Sequence, residues 1–292
     1  MTHLVLRVVL FAPGNHARRV EKAYQLQADA VILDLEDAVA PLEKEHARHL
    51  IAATVSSRGG AEAGPRTVVR INHPSTGLAD ADLQATLLPG VDMVMLAKTE
   101  SAEEIQWLAA QVARLEAERG IPAGWVRLFP IIETARGILE SRAIAAASPR
   151  VAALAFGGLD FTQDIGTSLS EDGSELLLAR SQLVLASRAA GVAPPIDTVF
   201  PWLDDRQRLL REARRARQLG FQGKLVIHPD QVAPVREVFS PTEEEVGWAR
   251  KVLEAFEGAL RQGSAVINVD GKFIDRPIVL WAERVLAMAS LR

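Results

Sequence analysis

A (β/α)8 barrel with a C-terminal helical extension is the fold class this sequence predicts, and three observations predict it. Eight short apolar runs alternate with helix-patterned segments across residues 1–239. The runs are continuous rather than alternating, which suits strands covered on both faces. Charged side chains of both signs close nearly every run, and in a parallel barrel those ends meet on the one face where active sites are built. An open doubly wound sheet is the structural rival. It usually has fewer strands and often a nucleotide fingerprint, and neither GxGxxG nor GxxxxGK[ST] occurs here.

The elements follow in order. LVLRVVLF is the first strand, and a helix is expected from His16 to Gln27. AVILDL is the second, followed by a helix from Leu42 to Ser57 and a Gly- and Ala-rich loop from Arg58 to Pro65. TVVRI and a short helix over Ala79 to Leu88 come next. DMVMLA leads into a long helix whose start, Ser101-Ala-Glu-Glu104, has the capping-box pattern. LFPII and AALAF flank ETARGILESRAIAAAS, a strand-helix-strand unit. Ser174 to Ala190 is helical, PIDTVF is strand-like, and Asp204 to Leu219 is a helix with a basic, solvated side. KLVIHP is the eighth strand.

Residues 240–292 form the extension. Thr242 and Glu245 make a capping box for a helix running to Gln262. SAVINVDGKFI reads as a hairpin turning at Asp270-Gly271, and Pro277 sits near the start of a last helix over Ile278 to Ala289. A tail of this length either packs on its own chain or reaches another subunit.

Composition removes several functions. Net charge is −4, so no basic surplus exists to neutralise phosphates, and nucleic acid is not an expected partner. Cysteine is absent, which excludes disulfides, thiolate nucleophiles and Cys-ligated zinc. The N-terminal apolar run is interrupted by Arg7 and lacks a preceding basic segment, so a strand is expected there rather than a signal peptide. No apolar run approaches membrane-spanning length, and the expectation is a soluble, cytoplasmic protein with no membrane partner.

The strand ends carry the chemistry. Asp34, Glu36 and Asp37 close the second strand, Arg70 the third, Lys98 the fourth, Glu133 the fifth and His228 the eighth. Asp160 follows the sixth and Asp197 lies in the seventh. Glu133 and Asp160 can together hold a hard divalent cation, or each can cap the helix after its strand. Magnesium suits so sparse a carboxylate set, with positions left for a chelating oxo-acid whose carbonyl it would polarise. Arg70 can hold a carboxylate or offset an enolate, or can be bound structurally to the Asp34–Asp37 cluster. Asp34, Glu36 and Asp37, and Lys98 with them, are read as supporting groups that orient Arg70 and metal-bound water. The Gly157-Gly158-Leu159 turn offers backbone N–H groups to an anion, or is only a tight turn. His228 is expected to be buried and hydrogen-bonded, and His16, His46 and His49 to be surface residues.

LFAPGNHARRVEKA, DAVILDLEDAV, EKEHAR, VVRIN, IIETARG, LAFGGLDFTQDIG and DGKFIDRPIV occur in this order over nearly the whole chain. Together they resemble the citrate lyase β-subunit-like proteins of the HpcH/HpaI aldolase group, which also holds malyl-CoA and citramalyl-CoA lyases. The resemblance implies a (β/α)8 barrel, a homotrimer or larger homo-oligomer, and Mg2+, or Mn2+ in its place. It implies reversible C–C cleavage of a 3-hydroxyacyl thioester, on CoA or an acyl carrier, into a small 2-oxo acid and an acyl thioester. Glu133 and Asp160 match the family's metal ligands, and Arg70 its substrate arginine. Glu133 also lies against the substrate in the family. Asp275, in FIDRP, matches the acid that the C-terminal segment donates to a neighbouring subunit's site. Arg18 and Lys22 fall where the family binds CoA phosphates. MLAK stands where LPK is common, so Ala97 replaces a proline. Two rivals share parts of this reading: a class II aldolase acting on free hydroxy-oxo-acids, and a non-catalytic or accessory subunit.

Overall fold

The computed structural model describes residues 4–58, 64–261 and 266–290. They divide into two compact units, 1–237 and 238–292. The first is a parallel sheet clothed in helices. Its elements are β1 Val8–Pro13, α1 Ala17–Tyr24, β2 Ala30–Asp34, α2 Lys44–Arg58, β3 Arg66–Ile71, α3 Ala79–Thr86, β4 Met93–Leu96 and α4 Ala102–Arg119. There follow β5 Arg127–Leu128, β6 Ile131–Ile132, α5 Ala135–Ala146, β7 Ala155–Phe156, α6 Gly158–Asp164, α7 Leu177–Ala190, β8 Ile196–Asp197, α8 Arg206–Leu219, β9 Gly223–Val226 and α9 Pro229–Phe239.

The sheet has nine segments in the order β5-β4-β3-β2-β1-β9-β8-β7-β6, one more than the eight expected runs. The extra one arises because LFPII is broken. Pro130 has no N–H to give the ladder, so the run bonds differently on its two sides. The Phe129 N–H donates to Val94 O on one side, and Pro130 O accepts from the Ala155 N–H on the other. The order therefore begins and ends in the same stretch of chain, and the sheet closes as a barrel.

Alternate residues of each strand point to opposite faces. Val9, Ile32, Val68, Met93, Met95, Ile131, Ala155, Ile196 and Leu225 share one buried apolar cluster. The Ser101–Glu104 capping box that starts α4 is present, with both reciprocal bonds made. Helical starts at Leu42 and Ser174 are each preceded or replaced by a 3-10 turn, Pro41–Glu43 and Ser174–Leu176. Most of the loop from Arg58 to Pro65 lies outside the described residues.

The second unit holds α10 Glu243–Arg261, β10 Ile267–Val269, β11 Lys272–Ile274 and α11 Arg276–Ala289. The Thr242 capping box closes as expected: the Glu245 N–H donates to Thr242 Oγ1 at 3.1 Å, and the Thr242 N–H to Glu245 Oε2 at 2.8 Å. Asp270 and Gly271 have φ of +52° and +78°, the left-handed pair of a tight I′ hairpin turn. Val252, Phe256, Ile274, Val279 and Ala282 are buried together, so this unit has its own small core. Gln262, Ser264 and Ala265, expected at the end of the helix and the start of the hairpin, lie outside the described residues. No described helix is long and apolar enough to cross a membrane.

Candidate active site

Strand parity builds the site. Asp34, Arg70 and Glu133 each stand two residues beyond a member of the buried cluster, Ile32, Val68 and Ile131. The side chains of all three therefore turn inward at the carboxyl ends of their strands. They border a cavity of about 690 Å³ together with Asp160, Gly157, Leu159, Thr198 and His228.

Arg70 is fixed from several sides. Its Nε and Nη2 donate to Asp34 Oδ1 and Oδ2, both at 2.7 Å, a bidentate pair. Its Nη1 lies 3.0 Å from Glu36 Oε2, and the guanidinium sits 4.8 Å over the Phe11 ring. Burial opposes both charges of the pair. The contact with Arg70 nonetheless holds Asp34 below the ordinary carboxylate range, and Asp34 holds Arg70 above the ordinary arginine value. Lys98 Nζ lies 2.6 Å from Glu36 Oε1 and 3.5 Å from Asp37 Oδ2. Against partial burial, Glu36 raises the Lys98 ammonium above its usual value. Asp34 and Glu36 thus orient Arg70, and the Asp37 carboxylate reaches Lys98 rather than Arg70.

Glu133 is different. It is 2% exposed, and its Oε1 accepts the Lys98 backbone N–H at 2.7 Å. Lys98 has φ +50°, a left-handed conformation that a lysine adopts only when its surroundings enforce it. Burial, then the adjacent Asp160 carboxylate, push the Glu133 carboxyl up to about 8. Gly157 makes room for this side chain: a Cβ there would stand 2.4 Å from Glu133 Oε2.

The capping alternative for the two acids fails. Thr134, not Glu133, caps α5 by accepting the Gly137 N–H at 3.0 Å. Asp160 lies inside the first turn of α6, whose cap position is Gly157. Two carboxylates bordering one cavity, one of them with its proton affinity raised by the other and by burial, are hard oxygen donors that fit a divalent cation. Among the described residues no three His, Cys, Asp or Glu side chains cluster as a metal site.

Several expectations need correction. The Gly157 N–H donates to Ile132 O at 2.9 Å and the Gly158 N–H to Thr198 Oγ1 at 2.8 Å. Both groups are already engaged, so the glycines supply clearance and a turn rather than open anion donors. Leu159 does border the cavity. His228 is not buried: its side chain is 41% exposed, and its Nδ1 accepts the Asp230 N–H at 3.3 Å. Arg18 is exposed and does not border the cavity, whereas Arg19, Lys22, Ala23 and Leu26 do. The helix period explains this, since positions 19, 22, 23 and 26 share one face of α1 and its continuation. Asp197 is one residue past Ile196 and so faces the helices. Arg180 Nε and Lys224 Nζ bind it at 2.8 and 2.7 Å, away from the cavity. Thr198, on the inward parity, is a site residue the sequence reading missed.

Asp275 belongs to the second unit. It occupies the cap position of α11, and its side chain makes no capping hydrogen bond there.

Residues 7–229 match the family model described as HpcH/HpaI aldolase/citrate lyase. The chain belongs to this family. Residues 186–291 also match a model described as a C–C bond lyase of the TIM-barrel fold. The protein is therefore an enzyme of the carbon–carbon lyase class with a barrel fold. It is 39% identical over 286 residues to citrate lyase subunit beta of Leuconostoc mesenteroides subsp. cremoris, covering 97% of this chain and 93% of that one. It is 36% identical over 298 residues to the mitochondrial citramalyl-CoA lyase of Rattus norvegicus, covering 97% and 86%. Among solved structures it superposes on the CitE protein of Mycobacterium tuberculosis in complex with magnesium, acetoacetate and coenzyme A. There the TM-score is 0.76 and the identity 32%, with 98% of both chains covered.

Proposed function

We propose that this enzyme cleaves, reversibly and with Mg2+, a 3-hydroxyacyl-CoA thioester such as malyl-CoA or citramalyl-CoA, or a citryl thioester. The products are a 2-oxo acid and an acyl thioester. One observation carries the reading: Glu133 and Asp160 border the same cavity, where Asp160 pushes the buried Glu133 carboxyl up despite Arg70 at the same rim. The relatives named above are called citrate lyase subunit beta and citramalyl-CoA lyase, and the CitE complex holds magnesium, acetoacetate and coenzyme A, which supports this reading.

Glu133 and Asp160 would hold the metal. When bound, magnesium supplies a Lewis acid that polarises the carbonyl of a chelating oxo-acid. The protein's own groups do the rest. Arg70, kept charged and immobile by Asp34, offsets the negative charge that develops on the thioester enolate as the C–C bond breaks. Asp275 from the C-terminal unit of a neighbouring copy in a homotrimer or larger oligomer donates a proton to the thioester carbon, and removes it in the synthetic direction. Arg19 and Lys22, on one face of α1 at the cavity, pair with CoA phosphates, which favours a thioester over a free acid. The C-terminal unit, taken as 240–292, then serves both the oligomer interface and the adjacent site, and the expected compartment is the cytoplasm.

The test is oxo-acid release by the purified protein with Mg2+, from a panel of 3-hydroxyacyl-CoA esters and free hydroxy-oxo-acids, with Glu133→Ala as control. Release from thioesters alone supports the reading. Release from free acids alone means a class II aldolase. No release from any substrate means an accessory subunit that needs partners. Full metal-dependent turnover by Glu133→Ala would overturn the site assignment.

A further inference from the structure

Lys44 opens α2, does not border the cavity and is 9% exposed. A buried ammonium must have all three of its donors partnered. Its Nζ donates to Leu35 O at 2.6 Å, Glu36 O at 2.7 Å and Asn72 Oδ1 at 3.0 Å. None of these acceptors is a carboxylate. Two are successive main-chain carbonyls of the segment that follows β2. The Glu36 carboxylate points elsewhere, to Arg70 and Lys98.

That segment is the cradle of Arg70. The Leu35 N–H donates to Arg70 O at 2.9 Å. The Glu36 and Ala38 N–H groups donate to Asp34 Oδ1 and Oδ2 at 2.9 and 3.1 Å, and the Asp37 N–H to Glu36 Oε2 at 3.0 Å. Asn72 reinforces the same point, since its Nδ2 donates to Leu35 O at 2.9 Å. Asn72 is itself fixed by Asp82, which accepts its N–H and Nδ2 at 2.9 and 2.7 Å and binds Arg48 Nε at 2.7 Å.

We propose that Lys44 is a positioning residue: it clamps the Leu35–Glu36 main chain so that Asp34 and Glu36 hold Arg70 and Lys98 in place at the cavity. Without it, two carbonyls and one amide oxygen lose a charged donor inside the protein. The segment relaxes, and Glu36 loses the backbone geometry that lets it bridge the two cations. The role deepens the lyase reading, because it matters to turnover only if Arg70 offsets charge in the reaction. The clamp itself can be read without any turnover.

The experiment compares wild type, Lys44→Met, Lys44→Arg and Arg150→Met. Arg150 binds Glu116 Oε2 at 2.6 Å and does not border the cavity, so its loss reports general destabilisation. Backbone hydrogen exchange is followed by mass spectrometry at residues 35–39. In Lys44→Met that segment exchanges at least about tenfold faster than in wild type, with residues 155–162 unchanged. Its kcat falls about 10- to 100-fold, while Mg2+ affinity by calorimetry is retained. Lys44→Arg restores protection and most of the turnover, and Arg150→Met affects neither. Should Lys44→Met not fold, Lys44→Gln takes its place. Wild-type exchange at 35–39 in the Met variant overturns the clamp. Faster exchange with unchanged kcat overturns its link to Arg70. Wild-type protein that cleaves no thioester sinks the lyase reading instead, and the exchange data still decide the clamp.

Discussion

Two buried arginine–aspartate pairs stand in the same barrel and behave differently. Arg70 grips Asp34 at the rim with two 2.7 Å bonds, and Arg180 grips Asp197 behind the sheet with bonds of 2.8 and 3.1 Å. The second pair is closed off. Lys224 Nζ adds a third contact to Asp197 at 2.7 Å, and Glu212 lies 3.7 Å from Arg180 and 3.9 Å from Lys224. Despite complete burial, Arg180 and Lys224 hold Asp197 below the ordinary carboxylate range. The first pair opens onto a cavity where Glu133 is left with its carboxyl pushed up to about 8. A balanced network of buried charges is structural. One that leaves a charge unbalanced beside a cavity has room for a ligand.

Breaking each side separately tests this contrast. Removal of the unbalanced acid has the largest effect. Glu133→Ala lowers metal-dependent kcat by about 10³-fold or more, measured as oxo-acid release. The metal-free fold does not suffer from the change, and pH shows why. A carboxyl whose folded-state pKa is raised binds its proton more tightly in the native state, so stability declines as pH rises from the ordinary glutamate value towards 8. Thermal melts of the metal-free protein therefore fall across that window and recover with Mg2+. Melts of Glu133→Gln lack this component.

The structural pair gives the opposite pattern. Asp197→Ala leaves Arg180 and Lys224 buried without a counter-charge and costs about 3–5 kcal/mol by urea denaturation. The kcat per folded molecule is unchanged. Equal losses of activity in both variants would erase the distinction between the two networks.

Clearance at the site sharpens the comparison further. In Gly157→Ala the new methyl displaces the Glu133 carboxylate it would meet at 2.4 Å, and Mg2+ affinity falls about 10- to 100-fold by calorimetry. The smallest effect separates two neighbouring arginines. Arg19→Ala raises KM for the CoA thioester about fivefold, the scale of one exposed ion pair, whereas Arg18→Ala leaves it nearly unchanged.

The order of strands and helices was legible because each element writes its own period into the sequence. Runs such as AVILD and TVVRI need no partner to be read as buried strands. The charged strand ends were legible for the same reason, since Asp34, Arg70 and Glu133 each close an apolar run. What stayed hidden depended on facing direction. A one-residue step separates Asp197, which turns to the helices, from Thr198, which turns to the cavity, and counting parity from Ile196 would have told them apart. Counting the helix period from Lys22 would likewise have replaced Arg18 with Arg19.

The sequence by itself determined the family, the barrel class and the identity of the acids and the arginine at the strand ends, because those follow from local pattern and motif order. Tertiary structure alone decided which charges are cancelled. Whether Asp197 is silenced by Lys224, or Glu133 is left exposed to Asp160, depends on side chains far apart in the chain whose distances appear only once the sheet has closed. Electrostatic energy depends on those distances and on burial, and neither is written in any single segment.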